Sequence, residues 1–147
     1  DDMEYFHAFL QEVLRLYPPV GLVIRTIARS EQLGGHHIPH GTRIVIPIHL
    51  LHRHPLYWDD PESFQPERWL DGKMDKERIR FAFLPFSAGG RNCIGQRFAT
   101  IEVKLILAPL IQNLRIQVAP SQRDTEFTFT SFVTMKSRPG LKIVAQS

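Results

Sequence analysis

Between residues 57 and 85 the chain shows neither helical nor strand periodicity, and Pro55, Pro61, Pro66 and Pro85 break it repeatedly. Proline lacks the amide hydrogen and disfavours the helical conformation in the residue before it. No long helix or central strand can therefore form there. An irregular stretch of that length inside a compact domain is functional or is tied down by other parts of the chain. Trp58, Phe64, Trp69, Phe81 and Phe83 are the available anchors. Whatever this chain folds into must build regular elements on both sides of the stretch and pin the middle to them.

The flanks supply those elements. Met3, Phe6, Leu10, Val13, Leu14 and Tyr17 recur at spacings of three and four, which predicts one amphipathic helix. Asp1 or Asp2 would cap it and Pro18-Pro19 would end it. Residues 22–28 and 42–48 read as strands, with Gly34-Gly35 as a turn between them and Pro47 placing the second at an edge or an end. A short helix over 49–54 would stop at Pro55. The charged run 72–80 mixes both signs and reads as a solvated loop. A second long helix is predicted over about 96–114, with a kink or an early end at Pro109. The tail reads as β structure over 114–118, 127–135 and 141–145, with Arg138-Pro139-Gly140 as the last turn. There is no internal repeat, low-complexity tract or domain linker.

The 147 residues are 43% hydrophobic and 22% charged, an ordinary globular balance. A net charge of +3 with no basic run gives no sign of nucleic acid as a partner. The single cysteine, Cys93, rules out a disulfide within the chain and a multi-cysteine zinc site. No run of about 18 apolar residues offers a membrane segment. The chain opens on Asp1-Asp2, which reads as a piece of a longer polypeptide, so targeting signals are silent. His36, His37 and His40 cluster, and His49, His52 and His54 come after them. The first three surround a Gly-Gly turn with no helix to align them, so a metal site is not expected.

The chemistry is concentrated in Phe86-Ser87-Ala88-Gly89-Gly90-Arg91-Asn92-Cys93-Ile94-Gly95. Cys93 sits in a glycine-rich loop just before a predicted helix start, where unpaired amide donors and the positive dipole end favour thiolate over thiol. Arg91 adds positive charge. Glycines let the backbone approach something flat or bulky. These parts suit a thiolate held against a metal or cofactor. A buried structural cysteine beside a turn is the competing reading of the residue taken alone.

The loop resembles the cytochrome P450 signature F-x-x-G-x-R-x-C-x-G, with Phe86, Gly89, Arg91, Cys93 and Gly95 at its fixed positions. Glu12-Val13-Leu14-Arg15 is similar to the family's E-x-x-R, whose spacing puts both side chains on one helix face. Pro66-Glu67-Arg68-Trp69 resembles P-E-R-F, with tryptophan in last place. Arg15-Leu16-Tyr17-Pro18-Pro19 resembles R-L-x-P-P. His52-Arg53-His54-Pro55 resembles H-R-D-P, with His54 replacing the acid and putting a local salt bridge in doubt. The resemblance implies a mainly α fold with small β-sheets. Residues 1–147 would be an α+β C-terminal, haem-binding part of that single domain.

The resemblance also implies roles for single residues. By it, Cys93 is the axial thiolate of haem (iron protoporphyrin IX), with Phe86 packed near the sulfur and Arg91 on a propionate. Arg25 falls where many members place a second propionate-binding arginine, against the plainer reading of a charge on a strand surface. By the same resemblance Glu12, Arg15 and Arg68 form a buried structural cluster, and residues 20–24 and 132–134 line the substrate pocket. Lys73, Lys76, Arg78 and Lys104 are candidates for meeting an electron-donor reductase. The activity implied is a monooxygenase that puts one atom of O2 into a small, lipophilic organic substrate. A eukaryotic parent would lie at the endoplasmic reticulum membrane. The family's oxygen-activating threonine motif is absent from these residues, so the chain alone is expected to be marginally folded and inactive. A haem-thiolate peroxide isomerase and a non-catalytic haem-binding or interaction fragment remain the alternatives.

Overall fold

In the computed structural model of the chain, residues 2–70, 72, 75–131 and 134–146 are described, and they fall into two compact units, 1–85 and 86–147. The first unit opens with helix α1, Asp2–Leu16. Strands β1 (Val23–Thr26), β2 (Glu31–Leu33), β3 (His36–Ile38) and β4 (Arg43–Ile46) come next, then short helix α2 (Ile48–Leu51), a 3-10 turn at Pro66–Trp69 and a one-turn helix α3 (Lys76–Ile79).

β1 and β4 pair antiparallel from Val23↔Ile46 to Thr26↔Arg43. The Gly34-Gly35 turn does not join them directly, as the sequence suggested. It closes an inner hairpin of β2 and β3, which runs from Glu31↔Ile38 to Leu33↔His36. Both glycines have positive φ, +57° and +82°, which a two-residue hairpin turn of this kind requires. The strands of this hairpin are polar and almost wholly exposed, so they carried no hydrophobic alternation to reveal them.

The buried face of α1 differs from the apolar stripe. Met3 and Tyr17 are exposed, whereas Ala8, Leu10, Glu12, Arg15 and Leu16 are the buried positions. The helix packs on the Pro66–Trp69 turn, which offers hydrogen-bond partners to a charged pair rather than a purely apolar surface. Trp58, Ile48, His52 and Pro18 are the other large side chains fully buried among the described residues of this unit. The charged run 72–80 is more than a loop. Asp75 caps α3, its Oδ1 accepting the Glu77 and Arg78 amides at 3.0 and 3.2 Å.

The second unit begins with a 3-10 turn, Gly89–Arg91, and continues into helix α4, Gln96–Asn113. β5 (Arg115–Val118) pairs with β8 (Ile143–Gln146), and β6 (Thr128–Ser131) pairs with β7 (Met135–Arg138). The expected single strand over 127–135 is thus two arms of a hairpin, and its tip residues Phe132 and Val133 lie outside the described residues. Pro109 does not end α4, which runs four residues further to Asn113. Asn113 Nδ2 donates to the Pro109 carbonyl at 2.7 Å and so satisfies one acceptor in the last turn. Buried Gln122 ties the tail together by donating to Gly140 O at 2.8 Å and accepting the Lys142 amide at 2.6 Å.

Candidate functional site

Glu12 and Arg15 are three residues apart on α1 and both are 0% exposed. Two buried charges are costly unless every lone pair and donor finds a partner. Arg15 donates through Nε and Nη2 to the two oxygens of Glu12, at 2.9 and 2.7 Å. Its remaining hydrogens go to the carbonyls of His52 (2.9 Å), Pro61 (2.6 Å) and Ser63 (3.0 Å). All five guanidinium N–H groups are therefore used. Glu12 also accepts from the Gln65 amide at 2.9 Å, Arg68 Nε at 3.2 Å and Trp69 Nε1 at 2.9 Å. Arg68 in turn donates to the carbonyls of Asp59 (2.9 Å) and Asp60 (3.3 Å). The structure thus brings Glu12, Arg15 and Arg68 together, and the same three side chains pin the irregular stretch at residues 59–69. Burial alone would raise the Glu12 pKa, but hydrogen bonds from Arg15, Gln65 and Trp69 and the Arg15 charge outweigh it and lower it.

Three further participants, visible in the sequence as an anchor or as part of a motif, were not placed at this cluster by it. Trp69 ends the P-E-R-W element, and its indole N–H reaches a carboxylate that phenylalanine could not serve. Arg53 donates to Leu16 O at 2.6 Å and to Glu62 at 3.1 Å. His52 is fully buried between Arg15 and Leu84. The Leu84 amide donates to its Nε2 at 2.8 Å, so that nitrogen is the acceptor, and Nδ1 carries the proton toward Arg15 O at 3.0 Å. Burial first, then the Arg15 and Arg53 charges, push its pKa down to about 4, against the opposing bond to the Arg15 carbonyl. Phe83 lies against its ring, and Trp58 and Trp69 pack on Phe83. The Trp69–Phe83 centroids are 4.6 Å apart, the His52–Phe83 centroids 5.2 Å, and the Arg15 guanidinium lies 5.2 Å from the Trp58 ring. His54, which replaces the expected acid, accepts the Leu56 amide on Nδ1 at 3.2 Å, a local turn bond that a carboxylate would also make.

The cysteine loop belongs to the second unit. The Cys93 amide donates to Phe86 O at 2.9 Å, closing the loop, and the Asn92 amide donates to Gly89 O at 3.1 Å inside it. Gly89 has φ +80°, a conformation that a side chain would strain. Cys93 is exposed and stands two residues before Gly95, the N-cap of α4. A Cβ at Gly95 would lie 3.8 Å from Cys93 Sγ, so glycine keeps one side of the sulfur open. Ile94, Phe98 and Ile101, at and after the loop, are exposed apolar side chains, and Arg91 is exposed as well. A solvent-facing sulfur, flanked by an open glycine, apolar surface and a cation, fits a large flat group carrying carboxylates.

Arg25 lies half-buried on β1, on the same face as Val23, and donates to Ile24 O at 3.0 Å. On the opposite face, Ile24 pairs with Val45, and both are exposed. Arg78 donates to Leu56 O at 2.6 Å, Lys104 is half-buried, and Lys73 and the side chain of Lys76 lie outside the described ones. Among the described residues no three His, Cys, Asp or Glu side chains are grouped to hold a metal ion.

One unit with a buried Glu–Arg–Arg cluster and small antiparallel sheets, and another with a cysteine loop leading into a long helix, together define a recognisable class. The sequence model of the family described as Cytochrome P450 matches residues 1–143, and the chain belongs to that family. Its members are haem-dependent monooxygenases. Among curated relatives, Cytochrome P450 3A13 of Mus musculus is 42% identical over 116 residues, covering 78% of this chain and 23% of that protein. Secologanin synthase 1 of Catharanthus roseus is 39% identical over 127 residues, covering 86% of this chain and 24% of that protein. Cytochrome P450 3A19 of Capra hircus aegagrus is 34% identical, covering 97% of this chain and 65% of that protein. The solved structure of retinoic acid bound cyanobacterial CYP120A1 matches with a TM-score of 0.86 at 34% identity, over 98% of this chain and 32% of that one. The chain thus spans about a quarter of the length of the first two relatives. No helix among the described residues is long and apolar enough to cross a membrane.

Proposed function

We propose that this chain is the haem-holding part of a haem-thiolate monooxygenase and that Cys93 gives its sulfur to the iron. The observation that carries this reading is the exposed Cys93 just before α4, in a loop closed by its own amide, with glycine rather than a side chain at position 95 beside Sγ. When bound, thiolate-ligated haem supplies the cleavage of the O–O bond of O2 and the transfer of one oxygen atom to an organic substrate.

The protein's own residues do the holding. The Cys93 amide is committed to Phe86 O, so the loop fixes where the sulfur emerges. Gly89 and Gly95 keep the loop tight and the approach open. Arg91 and Arg25 take the carboxylate edges, a task for which the planar guanidinium fork is suited. Glu12, Arg15 and Arg68 hold the proline-broken stretch in one shape. The exposed pair Ile24 and Val45 offers apolar surface to a lipophilic substrate. Electrons come from a reductase that docks on basic residues, Lys104 and Arg78 among them, and a eukaryotic parent works at the endoplasmic reticulum membrane.

The test is a carbon monoxide difference spectrum of the reduced, haem-loaded full-length polypeptide carrying these residues. The reading predicts a strongly red-shifted Soret band that disappears in Cys93→Ala. A band at the position of histidine ligation in the unsubstituted protein would overturn it.

A further inference from the structure

We propose that the cavity between α3 and the Pro66–Trp69 turn is a binding site for a small organic ammonium ion, a cation carried on an apolar body. The cavity lies wholly within the unit 1–85 and has a volume of about 350 Å3. Small-molecule sites begin at about 300 Å3. Its lining comes from three stretches of chain, residues 57–59, 65–68 and 75–79. Tyr57, Trp58 and Ile79 give it apolar surface. Asp59, Glu67 and Asp75 give it three carboxylates, and Arg68 and Arg78 give it two guanidiniums.

The guanidiniums are spent inside the protein. Arg68 donates to Glu12 at 3.2 Å and to the carbonyls of Asp59 and Asp60 at 2.9 and 3.3 Å. Arg78 donates to Leu56 O at 2.6 Å and faces Asp59 Oδ1 at 3.9 Å. The carboxylates keep capacity to spare. Glu67 accepts the Tyr5 hydroxyl on Oε1 at 3.3 Å, and Asp75 accepts its two capping amides on Oδ1. Among the described residues nothing donates to Glu67 Oε2, to Asp75 Oδ2 or, within hydrogen-bond distance, to either oxygen of Asp59. A cleft lined in this way attracts a positive guest and repels an anion. The acids do not converge as metal ligands do, since among the described residues no three His, Cys, Asp or Glu side chains are grouped to hold a metal ion. Their charge is spread instead around a space that fits an organic molecule. An ammonium ion gains from the carboxylates and from the negative face of an aromatic ring such as Tyr57, while its carbon body lies on the apolar lining.

The site does not depend on what Cys93 binds. The test titrates the full-length polypeptide carrying these residues with benzyltrimethylammonium, whose quaternary nitrogen has no lone pair to offer a metal. Calorimetry gives the affinity, and tryptophan fluorescence reports Trp58 in the cavity wall. The proposal predicts saturable binding that perturbs the fluorescence, weakens as salt is raised, and is not matched by benzoate. Glu67→Gln combined with Asp59→Asn removes two charges from exposed side chains while keeping their shape. Binding should weaken about tenfold, the scale of two partly exposed charge contacts, with an unchanged denaturant midpoint. If the double variant does not fold, Glu67→Gln alone decides, with about threefold weaker binding expected and no change overturning the proposal. Absence of saturable binding up to millimolar concentrations, an unaltered affinity in the folded double variant, or benzoate binding as well as the cation would each overturn it.

Discussion

Glu12 accepts five hydrogen bonds from four residues, and Arg15 uses every N–H it has. Removing one partner from such a set leaves a buried charge uncompensated. Glu12→Ala is therefore expected to destabilise the fold by about 3–5 kcal/mol, read as a lowered midpoint in denaturant. Trp69→Phe keeps an aromatic ring but gives up the 2.9 Å bond to Glu12, and should cost about 1.5–3 kcal/mol in the same assay. The two titrating groups act on stability in sequence. His52 has a folded pKa near 4, below its ordinary 6.5, so its contribution is complete above 6.5 and is lost as pH falls toward 4. That loss is on the order of 3 kcal/mol and should vanish in His52→Gln. Glu12 is also depressed below its ordinary 4.5, so its contribution is present above that value and fails at still lower pH. Denaturant midpoints measured across pH 3–8 would show two acid steps, of which only the upper is removed by His52→Gln. Of these groups, Glu12, Arg15 and Arg68 could be picked out because each sits in a motif. His52 could not be given its role, because its two partners are backbone atoms of Arg15 and Leu84, and distant backbone atoms leave no trace in a side-chain pattern.

At the scale of elements, periodicity served the long helices well and the short β structure poorly. α1 lies where the three-and-four spacing put it and α4 where a second long helix was expected, yet the face that α1 buries is centred on a charged pair that a hydrophobic stripe cannot reveal. The β2–β3 hairpin was hidden by its polarity, and the β6–β7 hairpin was read as one strand because no glycine or proline stands between Phe127 and Met135 to mark its turn. Pro109 shows the limit of a local rule. It removes a hydrogen bond from the middle of α4, but the helix continues on the strength of the residues around it. Pro109→Ala should restore that bond and raise stability by about 1–3 kcal/mol, seen as a higher melting temperature with α4 intact. Gly89→Ala should do the reverse, since a side chain at φ +80° costs about 1–2 kcal/mol, and the strain would fall on the loop that presents Cys93.

At the scale of the whole molecule, the chain carries more exposed apolar surface than its charge balance suggests, including Phe98, Ile101, Leu105 and Ile106 along α4 and Ile24 and Val45 on the β1–β4 sheet. Composition gave no hint of this, because averages do not say which side chains lack a neighbour. Cys93 is exposed just before α4 on that same unit, and the function proposed for the chain stands on what its sulfur binds. The most direct measurement is iron K-edge X-ray absorption on the ferric haem-loaded full-length polypeptide, with Cys93→Ala beside it. Thiolate ligation by Cys93 predicts one sulfur bonded to iron in the unsubstituted protein and none in the variant. Only nitrogen and oxygen around iron in the unsubstituted protein, or a sulfur that persists in Cys93→Ala, would contradict it.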